Sequence, residues 1–127
     1  MTQVTIIRTF EAAHRLVNVG KTLEYNHEMY GDCANLHGHS YKLEVTVAGA
    51  IQPNGMIMNF KDLKLLVDGL FIKRMDHKVL NDVFDFIPTA ENLVNYIWDE
   101  LKKSLHLHHT LVCVRLWETG TCYAERT

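Results

Sequence analysis

Cys33-Ala34-Asn35-Leu36-His37-Gly38-His39-Ser40-Tyr41-Lys42-Leu43-Glu44-Val45-Thr46-Val47 is the stretch that decides how this chain is read. From 37 to 48 it alternates, with Tyr41, Leu43, Val45 and Val47 on one parity and Ser40, Lys42, Glu44 and Thr46 on the other. Successive side chains of a strand point to opposite faces, so this is a half-buried strand. His37 and His39 continue the apolar parity, which projects two imidazoles from one face where the strand begins. Gly38 between them puts no side chain on the opposite face.

Upstream, residues 3 to 14 alternate in part. Val4, Ile6, Phe10 and Ala12 share a parity that His14 ends, which predicts a neighbouring strand. Residues 18 to 35 lose the period and gain Gly, Asn and Asp, and read as a long loop. Downstream, Gln52-Pro53-Asn54-Gly55 predicts a turn and Met56-Ile57-Met58 a short strand. Asn59 is placed to cap a helix whose stripe is Phe60, Leu63, Val67, Leu70 and Phe71. Thr89 caps a second helix, with Glu91 in its first turn and Ala90, Leu93, Val94, Ile97, Trp98, Leu101 and Leu105 along its apolar stripe. Strands at 110 to 118 and 121 to 125 close the chain. The order ββααββ predicts an α+β domain, an antiparallel sheet with two helices on one face. The strand at 110 to 118 carries apolar residues on both parities, a pattern that favours burial of its second face in an oligomer.

The 127 residues fit one domain, 1–127, and 47% of them are apolar, enough for a core. The net charge of −2 and the absence of a Lys/Arg run leave no footprint for nucleic acid. No apolar stretch is long enough to span a membrane, and the first residues lack a secretory signal. Three cysteines, Cys33, Cys113 and Cys122, do not suggest a disulfide framework, so the expected compartment is the reducing cytoplasm.

Two imidazoles at His37 and His39, with His14 from the next strand, could hold a zinc ion and leave one coordination position open, as catalytic zinc sites do. Nitrogen donors select zinc over magnesium or calcium. Histidines at i and i+2 can equally be half-buried groups bonded to backbone. Cys33 has three readings: a thiolate base or nucleophile, a fourth metal ligand, or a small buried residue. Asp76 could orient His77 for proton transfer, or the pair could simply end a helix. Glu118, closing an apolar strand, needs a donor-rich partner, either a guanidine-like ligand edge or a basic side chain. His106, His108 and His109 fall at a helix end and read as surface residues, and His27 has no identifiable partner.

Taken in order, six elements resemble the 6-pyruvoyl-tetrahydropterin synthase / 6-carboxytetrahydropterin synthase family. They are Phe10-Glu11-Ala12-Ala13-His14, Cys33-x-x-x-His37-Gly38-His39, Gly55-Met56-Ile57-Met58-Asn59-Phe60-Lys61-Asp62-Leu63, Met75-Asp76-His77-x-x-Leu80-Asn81, Pro88-Thr89-Ala90-Glu91-Asn92 and Trp117-Glu118-Thr119. Asn59 stands where the family commonly has Asp. The resemblance implies a tunnelling fold, in which subunits pool their sheets into a barrel with helices outside. It also implies homohexamers built as dimers of trimers, with active sites between subunits. It implies Zn2+ on His14, His37 and His39, catalytic Cys33, Asp76 and His77, and substrate-binding Glu118 and Thr89. The three-residue gap between Cys33 and His37 resembles the 6-carboxytetrahydropterin synthases that feed queuosine and 7-deazaguanine synthesis. A five-residue gap looks like the 6-pyruvoyl enzymes. The implied substrate is 7,8-dihydroneopterin triphosphate. A third possibility is a zinc-binding oligomer that has lost the chemistry.

Overall fold

Where the apolar stripe of 37–48 ends, so does the core. The computed structural model describes residues 1–127. Strand β1 spans Gln3–His14 and β2 His37–Ala48, paired antiparallel from Gln3↔Ala48 to His14↔His37. That register places Ile6 beside Val45, Phe10 beside Tyr41 and Ala12 beside His39, so the two apolar stripes form one surface. Strand β4 (Thr110–Thr119) pairs with β2, and β5 (Cys122–Arg126) with β4. Helix α5 (Ala90–Ser104) buries Leu93, Val94, Ile97, Trp98 and Leu101 against this surface. Beside it lies α2 (Phe60–Val67), continued through a wider π turn, Asp68–Ile72, into α3 (Lys73–Met75), and burying Leu63, Val67, Phe71 and Met75. Arg8, the one charged residue on the core parity of β1, reaches the π turn and donates two bonds of 2.7 Å to the Asp68 carboxylate. This fork-to-fork pair docks the helix on the strand.

The order of the four long strands and two main helices is the expected one, with four differences. The 18–35 stretch is not only loop. It holds α1 (Leu23–Tyr30), capped by Thr22 Oγ1, which accepts the Tyr25 N–H at 3.1 Å, and then a 3-10 turn, Gly31–Ala34. Apolar periodicity misses α1 because the helix buries only Asn26 and presents no stripe to the core. Met56-Ile57-Met58 is not a strand. The segment curls after the turn, with Gln52 N–H donating to Met56 O at 2.9 Å, and Ile57 is buried without a neighbouring strand. The sheet is mixed rather than antiparallel, because β3 (Lys78–Val79) pairs parallel with Ala12 and Ala13, ahead of a single turn α4 (Leu80–Val83). The sheet is open, in the order β3-β1-β2-β4-β5.

The fourth difference is in β4. A bulge pairs Thr46 with Cys113 and Val47 with Leu111, leaving Val112 as the extra residue. Leu111, Val114 and Leu116 therefore all face the core. The other face carries Cys113, Arg115 and Trp117, and it is mixed, with Arg115 and its carboxylate partners between the two apolar side chains. Arg115 pairs with Glu125 at 2.8 Å and Glu44 at 3.5 Å, and Trp117 Nε1 donates to Glu44 at 3.1 Å. The strand is not apolar on both faces, and the bulge explains why it reads that way.

Candidate metal centre and active site

The core parity of β1 and β2 ends in His14, His37 and His39, and on β4 in Glu118. One ring nitrogen from each histidine lies within 4.8 Å of the other two, the chain's single group of this kind. The rings meet edge-on, with centroids 4.6 to 5.1 Å apart. His14 Nδ1 lies 2.8 Å from Pro88 O, and His37 Nδ1 2.7 Å from Asn35 O. A carbonyl can only accept, so both Nδ1 atoms carry the proton and both Nε2 lone pairs are free. His14 Nε2 and His39 Nε2 are buried with no hydrogen-bond partner. Orphaned buried nitrogens are costly unless something coordinates them. Three converging imidazole nitrogens, two of them dry and unpartnered, fit a zinc ion.

Burial lowers the pKa of His14, a shift that the Pro88 bond and the Glu118 carboxylate oppose, and it lowers that of His39 likewise. Both rings are thus held neutral, the form that ligates metal. Between these lowered values and the unfolded value of 6.5, the unfolded chain binds protons that the native chain does not. Stability contributed by these sites therefore rises with pH through that window, is complete above 6.5 and is lost below it. With metal removed by a chelator, the urea midpoint is expected to be lower at pH 5.5 than at pH 7.5. An unchanged midpoint would contradict the burial argument.

Glu118 Oε1 lies 3.4 Å from His14 Nε2 and 3.7 Å from His39 Nε2. Tyr41 lies beneath the cluster, stacked on Phe10 with its hydroxyl 3.4 Å from His14 Nδ1, and burial pushes its phenol pKa up. Glu118 also lines a recess of about 280 Å³ with Thr89 and Glu91. Thr89 Oγ1 accepts the Asn92 N–H at 3.2 Å, the capping role expected of it. Glu91 reads from sequence as a helix-dipole carboxylate, and its place in the recess emerges only from the fold.

Asp76 and His77 do not point apart. His77 Nδ1 lies 2.9 Å from Asp76 Oδ2, and Asp76 Oδ1 accepts the Glu11 N–H at 2.9 Å. The Glu11 amide and then the His77 ring lower the Asp76 pKa. His77 takes φ +60°, the left-handed region, and its own N–H donates to Glu11 O at 2.6 Å. Both backbone groups of Glu11 therefore grip the pair. His77 and His39 line one depression of about 410 Å³ across the end of β1. Cys33 is exposed on the 3-10 turn before β2 and lies outside the histidine group, which leaves no support for a fourth ligand. His106 and His108 are exposed, while His109 Nε2 donates to Ile57 O at 2.9 Å, so these three form no metal group.

The family model described as 6-pyruvoyl tetrahydropterin synthase matches residues 3–127. A 6-pyruvoyl tetrahydrobiopterin synthase from Poecilia reticulata is 45% identical over 109 residues, 80% of this chain and 74% of the relative. A 6-carboxy-5,6,7,8-tetrahydropterin synthase from Aquifex aeolicus is 36% identical, with 91% of each chain covered. Among solved structures, Caenorhabditis elegans 6-pyruvoyl tetrahydropterin synthase superposes with TM-score 0.84 at 30% identity, covering 99% of this chain and 96% of its own.

Proposed function

The chain belongs to the 6-pyruvoyl tetrahydropterin synthase family and has its tunnelling fold, and from that premise we propose that it is a zinc-dependent 6-carboxy-5,6,7,8-tetrahydropterin synthase. The observation that carries this choice is the gap of three residues between Cys33 and His37. The Aquifex aeolicus relative, 36% identical, bears the name of that activity. The substrate is 7,8-dihydroneopterin triphosphate, and the products are 6-carboxytetrahydropterin, acetaldehyde and triphosphate, with one water consumed. Oxidation of the side chain balances reduction of the ring, so no redox cofactor enters.

Zinc on His14, His37 and His39 would supply Lewis acidity toward the side-chain oxygens of the substrate. Glu118, with Glu91 beside it, accepts hydrogen bonds from the amino-pyrimidinone edge, and Thr89 shapes that recess. Cys33 as thiolate removes a side-chain proton. His77 moves protons with its Nε2, because Asp76 holds its Nδ1–H. Triphosphate then leaves by elimination, and a retro-aldol-type cleavage releases acetaldehyde. In this reading residues 1–127 form one cytoplasmic domain. No helix is long and apolar enough to cross a membrane. The free edges of the sheet at β3 and β5 suit closure against further copies, a homohexamer with inter-subunit sites.

A second reading is 6-pyruvoyl-tetrahydropterin synthase, favoured by the higher identity of the fish relative. It shares the substrate and stops after triphosphate loss. Incubating the zinc-loaded protein with 7,8-dihydroneopterin triphosphate separates the two by mass spectrometry. Acetaldehyde with a 6-carboxy product is expected. A 6-pyruvoyl product without acetaldehyde would replace the first reading with the second, and an intact substrate would overturn both.

A further inference from the structure

We propose that Asn26 is a positioning residue, which holds Cys33 in place through the loop that carries it. This rests on the reading above that Cys33 does the proton chemistry. Asn26 is 5% exposed and is the only buried residue of α1. Its Oδ1 accepts the Asn18 N–H at 2.8 Å, and its Nδ2 donates to Asn18 O at 3.1 Å and Thr22 O at 3.0 Å. One side-chain amide thus pairs both backbone groups of Asn18, as a neighbouring strand would, and ties them to the helix start. The apolar residues Leu23 and Met29 of the same helix are 73% and 56% exposed, and Tyr30 is only half-buried, so the Asn26 amide is the one fully buried anchor of α1. The helix then ends at Gly31, at φ +59°, where the N–H returns to His27 O, and the chain enters the turn bearing Cys33. Cys33 O accepts the Leu16 N–H at 2.8 Å and closes the loop on itself. The location of Cys33 is therefore set from one side by buried Ala34 and β2, which also carries His37, and from the other by the Leu16 bond and the loop that the Asn26 amide holds.

A buried amide with both donors engaged has few substitutes. Aspartate matches its shape but loses both donors and adds charge. Misplacing a reacting group by about 1 Å can cost ~100-fold in rate. The test uses the full zinc-loaded chain and compares wild type with Asn26→Asp and Asn26→Ser. One readout needs no substrate: the rate of iodoacetamide alkylation at Cys33, followed by peptide mass spectrometry with exposed Cys122 as internal reference. The other is kcat and KM for 7,8-dihydroneopterin triphosphate, well below the unfolding temperature. The expected result is a ~10- to ~100-fold fall in kcat with KM within about threefold. Bound zinc should be retained, and the alkylation rate should change at Cys33 and not at Cys122. Variants that unfold at lower temperature yet keep kcat and the Cys33 rate would overturn the proposal, as would loss of folding in both variants, which would leave the amide purely structural. A wild-type chain that does not turn over the pterin would remove the proposed function, while the Cys33 rate still decides for or against Asn26.

Discussion

Cys33→Ala is expected to lower turnover by ~10²–10⁴-fold, the usual worth of a positioned general base, while one zinc per chain remains bound. That range corresponds to about 3–5 kcal/mol of transition-state stabilisation. The split between activity and metal content is what identifies the role. Cys33 lies outside the group of three nitrogens, so removing its sulfur takes nothing from that group. The residue is also exposed, so the alanine variant leaves no core cavity and its thermal stability should be near that of wild type. Steady-state kinetics beside metal analysis of the same preparation decides the matter. Loss of zinc together with activity would make Cys33 a ligand. Unchanged turnover would take it out of the reaction.

His37→Ala should remove both metal and turnover. Its consequence for stability is more informative than its consequence for rate. Anything that binds only the folded chain stabilises it by RT ln(1 + [L]/Kd), about 4 kcal/mol when free zinc is a thousandfold above Kd. Wild type should therefore melt higher with zinc than with chelator, and His37→Ala should melt at one temperature in both. His37 is the better choice than His14, which is fully buried and bonded to Pro88 O. Truncating His14 would add a packing loss to the lost ligand. If the His37 variant kept a full zinc-dependent shift, the metal would have to sit elsewhere.

The histidine trio was legible in the sequence because β1 and β2 are long, regular and hydrogen-bonded in phase. Parity alone then sends His14, His37 and His39 to one face. The same rule failed on β4, where Val112 is an added residue and period-two counting slips by one. It failed again on α1, which is held by a cap and a buried amide rather than an apolar stripe, so hydrophobic periodicity carried no trace of it. Asp76 and His77 were legible as a possible pair, but their geometry was not. Their convergence depends on a left-handed backbone at His77 and on Glu11, far away in sequence. Glu91 was hidden for a similar reason, since only the packing of α5 against β4 and β5 places it near Glu118.

That left-handed backbone at His77 also bears on how copies of this chain would drift. A non-glycine residue in that region carries a standing conformational cost of roughly 1–2 kcal/mol. Glycine or asparagine would sit there with less strain. A duplicated copy released from its chemistry would be free to exchange the histidine for one of them and gain stability in doing so. Loss of His77 in favour of glycine, in a copy that still kept His14, His37 and His39, would then be the mark of a descendant that holds metal and no longer turns over substrate.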